Sequence, residues 1–226
     1  MPAVDPAVRL PFADRAAAGR LLGERLVGEF GRRGGVVVLG LPRGGMVVAA
    51  EVARRLGAPL DAYVVRKLGL PWQPELAMGA IASGGTVIRN DEVIAAAGAR
   101  PADLERVIAA ERAELERRER AYRGDREPQP LAGRLVIVID DGIATGATAR
   151  AALRAVRAAG PARVVLAVPV GPENAAASAT DADELVLLAR PRPFGAVGRH
   201  YLDFAPTTDE QVRALLTVAT QPAGEE

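Results

Sequence analysis

The sequence predicts an α/β protein, a parallel sheet of about five strands with helices on both faces. Short apolar, β-branched runs recur at Val36–Leu39, Leu60–Val65, Leu135–Ile139, Ala162–Val168 and Glu184–Leu188. Most of them lead into a stretch with helical spacing. They do not alternate apolar with polar, as half-solvated strands would, so both faces of the sheet are expected to be covered. With 226 residues, 49% of them hydrophobic, the chain can bury a core within a single domain over 1–226.

Composition removes several function classes. There is no cysteine, which excludes disulfides, thiolate nucleophiles and Cys-based zinc sites. A single histidine, His200, excludes His-rich metal sites and argues against a Ser-His-Asp hydrolase. It reads as a surface residue. The formal charge of +1 gives no reason to expect nucleic acid as a partner. No long uncharged apolar span and no basic-then-apolar leader occurs, so a soluble, cytoplasmic protein with no membrane partner is expected. Neither G-x-G-x-x-G after the first strand nor a P-loop is present.

In chain order, residues 1–11 read as a lead-in. Asp14 then caps a helix whose Leu21, Leu22, Leu26 and Phe30 share a face, and which ends at Arg32–Gly35. Nothing in it suggests chemistry. Val36–Leu39 runs into GLPRGGM, Gly40–Met46, a tight turn whose backbone must approach something closely. Val47–Leu56 is helical. The strand Leu60–Val65 is followed by Arg66 and Lys67, the latter the only lysine. Two cations at a strand end beside that turn suit an anionic ligand.

The excursion over 66–90 holds Trp72, Glu75 and several glycines, and its spacing fits a hairpin. The hairpin would pair Met78–Ala82 with Thr86–Arg89 across Ser83–Gly85. Asn90 caps a short helix, Asp91–Ala97, and Pro101 opens a longer one. In that helix Leu104, Val107, Ile108, Leu115 and Tyr122 face one way, while Glu114–Arg118 and Glu116–Arg120 stand at i,i+4 spacing. It reads as a solvated cover helix or part of a homodimer contact. A linker, Gly124–Pro130, precedes the most informative stretch. Beyond that stretch, Ala162–Val168, a brief Ala-rich helix and Glu184–Leu188 complete the sheet. Residues 190–206 then gather Phe194, Tyr201 and Phe204, which would either stack on a base or anchor the loop to the core. A final helix covers Thr207–Leu216.

The informative stretch is LVIVIDDGIATGATARAA, Leu135–Ala152. A buried strand ends in two adjacent carboxylates, Asp140 and Asp141. Small residues and hydroxyls follow, and a helix begins at Thr148. Such a strand–loop–helix unit presents free backbone N–H groups at a helix N-terminus, which is an anion site. The acids beside it accept hydrogen bonds and repel bare phosphate. The two features together call for a phosphorylated sugar.

VIVIDDGIATGAT resembles the thirteen-residue signature of the type I phosphoribosyltransferases, which bind 5-phosphoribosyl-1-pyrophosphate (PRPP). The resemblance implies that fold, with a small hood region and with 66–90 as a mobile lid that takes in Trp72 and Glu75, either in place of the hairpin or framed by it. It places Asp140 and Asp141 at the ribose hydroxyls, and Ala144, Thr145, Gly146, Ala147 and Thr148 around the 5′-phosphate. It makes the turn at Arg43, Gly44 and Gly45 the pyrophosphate loop, with a cis bond expected at Pro42–Arg43. It also makes Arg66 and Lys67 candidates for pyrophosphate or hood contacts, and gives 190–206 as a possible hood. The implied catalytic set is Asp140, Asp141, Arg43 and Lys67. The implied reaction transfers ribose 5-phosphate from PRPP to a nitrogenous acceptor, possibly a nucleobase, releasing pyrophosphate. Magnesium (Mg2+) would arrive with PRPP and be held mainly by ligand oxygens and water, with no protein metal site. Ala144 stands where hypoxanthine–guanine enzymes carry an Asp, which argues against that substrate class. The alternative is a PRPP- or nucleotide-binding regulator on the same fold with little catalysis.

Overall fold

The computed structural model describes residues 8–31 and 33–218. Expectations for the first seven residues, Arg32 and the end of the chain fall outside them. The element order is α1 (Arg15–Phe30), β1 (Val36–Gly40), α2 (Gly44–Leu56), β2 (Leu60–Ala62), β3 (Val65–Leu70), β4 (Gln73–Ala82), β5 (Thr86–Arg89), α3 (Asp91–Ala96), α4 (Pro101–Arg123), β6 (Leu135–Ile139), α5 (Ala147–Ala158), β7 (Arg163–Val170), β8 (Glu184–Ala189) and α6 (Asp209–Val218).

Five strands form one parallel sheet in the order β2-β1-β6-β7-β8. Alternate residues of the central strands serve two cores. Val36, Val38, Ile137 and Ile139 pack with Leu22, Leu26 and Phe30 of α1 and Met46 and Val52 of α2. Val37, Leu39, Val136 and Val138 pack with Ala152, Leu153 and Val156 of α5. This is why the runs carry no polar alternation.

From β1 the chain winds outward to β2, whereas from β6 it winds the other way to β7 and β8. The strand order therefore reverses between β1 and β6, and such a switch point opens a crevice at the carboxyl ends of the strands. Gly40 and Ile139 are in register there. The Leu41–Arg43 turn and the Asp140–Thr148 loop consequently leave the sheet side by side.

One strand differs from expectation. Leu60–Val65 is not a single strand, because β2 stops at Ala62 and the chain changes sheets. Tyr63 makes the last bond to the parallel sheet, its N–H donating to Gly40 O at 2.9 Å. Val64 is already held by Ser83, whose N–H donates to Val64 O (2.8 Å) and whose Oγ accepts from Val64 N–H (2.9 Å). Arg66 and Lys67 accordingly lie inside β3 rather than at the end of a parallel strand.

The strands β3-β4-β5 form a separate antiparallel sheet. Within it, Ala82 pairs with Thr86 and Gly79 with Arg89, so the hairpin over Ser83–Gly85 is present, preceded by β3. Trp72 sits in the β3–β4 turn and is 56% exposed. Two smaller adjustments concern helices. α2 begins at Gly44 rather than Val47, and the Ala-rich segment after β7 is a 3-10 helix, Glu173–Ser178. On α4, Glu114 pairs with Arg118 and also Arg117, and Glu116 with Arg120, along its solvated face.

Ile137 is fully buried in the middle strand. Replacing it by Ala is expected to cost about 2–5 kcal/mol, the usual penalty for such a cavity. Urea unfolding would measure this, and a loss below about 1 kcal/mol would contradict a central β6.

Candidate active site

The site is built at the switch point from the acid pair outward. β6 delivers Asp140 and Asp141 to the edge of the sheet, and the first turn of α2 is pressed against them. A Cβ on Gly44 would collide with Asp141 Oδ2, and one on Gly45 would lie 2.9 Å from the Asp140 Cα. The object that the glycine turn approaches is therefore the acid pair. The Pro42–Arg43 bond is cis.

Each carboxylate has one oxygen engaged by the protein. Asp140 Oδ1 accepts from the Asp141 backbone N–H at 2.9 Å, and Asp141 Oδ2 accepts from Arg15 Nε at 2.7 Å. Among the described residues nothing bonds to Asp140 Oδ2 or Asp141 Oδ1, so each acid keeps one free acceptor. Two neighbouring free acceptors suit a pair of vicinal hydroxyls. Burial, and then the charge of Asp141, hold the Asp140 carboxyl well above the usual range. Burial also raises Asp141, against the opposing pull of its Arg15 hydrogen bond.

Next in sequence comes the anion loop. Gly146 precedes α5 with φ +70°, a conformation that favours glycine, and a Cβ there would strike Ser178. Ile143 N–H donates to Val170 O, and Arg150 N–H donates to Gly146 O. Among the described residues, the backbone N–H groups from Ala144 to Ala149 have no acceptor. They surround the positive end of the α5 dipole, the arrangement that binds phosphate. Ala144, Thr145, Ala147 and Thr148 are exposed. Arg150 donates to Thr145 O at 3.0 Å and fixes the loop from behind.

The structure adds residues that sequence reasoning did not place at the site. Arg15, the first residue of α1, reaches Asp141, although that helix carried no chemical signal by spacing. Its Nη1 donates to Ala205 O at 2.8 Å, and its guanidinium carbon lies 3.7 Å from the centroid of the Phe204 ring. Tyr201 is 5% exposed and donates its hydroxyl to the Asp141 backbone carbonyl at 2.5 Å. Burial, then the Asp141 charge, keep this phenol protonated far above its usual range.

The aromatic residues of the tail therefore anchor the loop. Phe204 is covered by Arg15, and a Cβ on Gly198 would lie 2.8 Å from its ring, while Tyr201 lies 5.1 Å away between centroids. Phe194 packs on His200 with ring centroids 5.2 Å apart. His200 is not a surface residue. It is 8% exposed, with Nε2 at 2.8 Å from Phe194 O, because the turn Val197–His200 folds it inward.

The basic candidates are more dispersed. Arg43 stands at the start of α2, half exposed, with Nη1 3.9 Å from Asp209 on α6. A solvated pair at that distance is weak and readily exchanged for a ligand. Arg66 pairs with Glu111 of α4 at 2.7 Å, and Lys67 with Glu75 across the β3–β4 hairpin at 3.1 Å. The structure pairs these two with acids of α4 and β4, not with the acid pair. No cluster of three or more His, Asp or Glu capable of holding a metal occurs among the described residues.

The fold has counterparts among known proteins. The phosphoribosyl transferase domain family matches residues 15–190, and the chain belongs to that family. It is similar to the crystal structure of TT1426 from Thermus thermophilus, at 45% identity and a TM-score of 0.83, covering 94% of this chain and 100% of that one. It is also 50% identical, over 206 residues, to a Mycobacterium tuberculosis protein with a provisional phosphoribosyl transferase name, MT0597 in one strain and Rv0571c in another. The match covers 91% of this chain and 46% of the relative, so the chain spans about half the length of the curated relatives it matches. The fold is that of the type I phosphoribosyltransferases.

The crowded acid pair gives a pH-dependent test. Asp140→Asn keeps the acceptor for the Asp141 N–H and removes one of two adjacent buried charges. An acid whose folded pKa is raised loses stability as pH rises, because the folded state then surrenders a proton it would keep. The substitution is expected to raise the melting temperature at pH 8, with the gain shrinking as pH falls and Asp140 becomes neutral by itself. Melting curves from pH 5 to pH 8 would check this, and a gain that grows towards acid would contradict it.

Proposed function

We propose that this chain carries a PRPP site and transfers ribose 5-phosphate to a nitrogenous acceptor such as a nucleobase, with release of pyrophosphate. The observation that carries the reading is the direct succession, at the switch point, of two half-free, partly buried carboxylates and a loop whose N–H groups have no acceptor among the described residues. Phosphate alone would be repelled by the acids. Ribose alone would make no use of the loop. A ribose 5-phosphate unit uses both.

In this reading the 5′-phosphate sits on the N–H groups from Ala144 to Ala149, and the free oxygens of Asp140 and Asp141 accept from the 2′- and 3′-hydroxyls. The C1–O bond to pyrophosphate breaks, the electron pair leaving with pyrophosphate, while the acceptor nitrogen bonds to C1 and gives up its proton. Positive charge develops on the sugar ring as the bond lengthens, and the neighbouring carboxylates stabilise it. Fixing the sugar at both ends contributes through orientation. Arg43, Gly44 and Gly45 border the position of the leaving pyrophosphate. Arg43 needs only to leave Asp209 to reach it. Arg66 and Lys67 join only if the β3–β5 sheet moves over the bound ligand, releasing Glu111 and Glu75; Trp72 at its exposed turn would then be part of the lid. Magnesium is part of the substrate in this scheme. The ion would be carried mainly by PRPP oxygens and water. No helix among the described residues is long and apolar enough to cross a membrane.

The decisive experiment pairs a screen for PRPP-dependent pyrophosphate release, over nucleobases and small amines, with calorimetry on Asp140→Asn/Asp141→Asn. The double variant is expected to bind PRPP at least about tenfold more weakly, the equivalent of about 1.4 kcal/mol. Pyrophosphate should bind it as well as or better than the unmutated protein, because Arg15 loses its acid and two repelling charges are gone. Equal weakening of both ligands would contradict ribose recognition by these acids. PRPP binding without turnover for any acceptor would favour the regulatory alternative.

A further inference from the structure

An arginine in the first turn of a helix is opposed by the positive end of the helix dipole. Arg15 is the first residue of α1, with Asp14 as the cap accepting from Ala17 N–H at 2.6 Å. Its long side chain is also largely covered, at 11% exposure. A placement that costs both electrostatic energy and side-chain entropy requires a compensating set of contacts. Those contacts are made with Asp141, Ala205 and Phe204.

Asp141 is held at both ends by the same clasp. Its carboxylate is gripped by Arg15 Nε, and its backbone carbonyl by the Tyr201 hydroxyl. The clasp is itself stitched together from two distant segments. Phe12 N–H donates to His200 O and Leu202 N–H to Phe12 O, each at 2.8 Å, and Asp203 N–H donates to Ala13 O at 2.9 Å. The Phe12 and Tyr201 rings lie 5.4 Å apart. The guanidinium of Arg15 closes the assembly by stacking on Phe204 and donating to Ala205 O. Gly44 completes it by omission, since a Cβ there would also lie 2.8 Å from Arg15 Nε.

We propose that Arg15 is a positioning residue, which turns Asp141 so that its free Oδ1 faces a ribose hydroxyl, and that the clasp of Phe12–Arg15 on His200–Ala205 fixes that orientation. The inference rests on the PRPP reading given above. It assigns a role in sugar recognition to the start of α1 and to the tail, neither of which lies in the signature stretch. Arg15 touches no reacting atom. Its work is to occupy Oδ2, leave Oδ1, and oppose the repulsion between the two acids. The groups facing Asp141 are Arg15 from α1, Asp140 from the end of β6 and Tyr201 from the tail. Only Arg15 is cationic.

A planar fork is needed for this, because Nε, Nη1 and the flat face are used at once; an ammonium supplies charge without that geometry. Arg15→Lys therefore separates position from charge. The test is titration calorimetry with PRPP and, separately, with pyrophosphate, at constant magnesium. Arg15→Lys is expected to bind PRPP about tenfold more weakly while pyrophosphate affinity stays within about twofold, since the charge is retained. Phe204→Leu removes the stacking face alone and should show the same split to a smaller degree. It carries the test should Arg15→Lys fail to fold by circular dichroism. Unchanged PRPP affinity in the tested variant would overturn the proposal. Equal losses for both ligands would overturn it too, by making the clasp a general support of the fold. An unmutated protein that binds no PRPP would instead remove the function reading, and this inference with it.

Discussion

Everything at this site depends on keeping two carboxylates next to each other at the end of a buried strand. Asp140 and Asp141 repel one another and have lost most of their water, so the arrangement opposes folding by itself. The surrounding structure consists largely of the means to hold it. The glycine start of α2 allows close approach of its backbone, Arg15 supplies a counter-charge, and Tyr201 holds the backbone carbonyl of Asp141. A protein keeps such strain where it serves recognition rather than stability. The adjacent row of free N–H groups shows the same logic with opposite sign. One half of the crevice is an excess of acceptors, the other an excess of donors, and a ligand that satisfies both must carry hydroxyls and an anion at fixed spacing.

The part of the fold that positions this crevice was legible in the sequence. β6 has the bounds expected for Leu135–Ile139, and the parallel strands around it, β2 apart, differ by a residue or two at their ends, because buried strands must be apolar on both faces and loops here carry glycine or acid. The acid pair and the Ala144–Thr148 loop were legible for the same reason, since a local sequence of strand, acids, small residues and helix dictates a local geometry. The hairpin over Ser83–Gly85 followed from its glycines. Where local signals gave out, so did the reading. The passage from β2 to β3 is decided by Ser83, which takes both hydrogen-bonding groups of Val64, and nothing in LDAYVV announces that partner.

Arg15 and Tyr201 were hidden by distance along the chain, lying 126 and 60 residues from Asp141. One clue was present. A cation at the first position of a capped helix contradicts the dipole, and such violations of a local rule call for a distant partner. His200 illustrates the reverse error. A lone histidine in a Pro- and Gly-rich tail looks solvated, yet the tail folds back through the Phe12–Tyr201 contact and buries it. The tail aromatics, which by sequence could face either a base or the core, pack within that fold-back, Phe194 on His200 and Phe204 under Arg15. The acceptor has to be sought by chemistry.

The central claim is that one ligand bridges the acids and the loop. The most direct measurement is a crystal structure with ribose 5-phosphate, a ligand that has both features and needs no turnover. The account predicts the phosphate on the backbone N–H groups between Ala144 and Ala149, with the ring hydroxyls on Asp140 Oδ2 and Asp141 Oδ1 and the Arg15–Asp141 contact retained. A phosphate bound in that loop with its sugar turned away from the acids would contradict it.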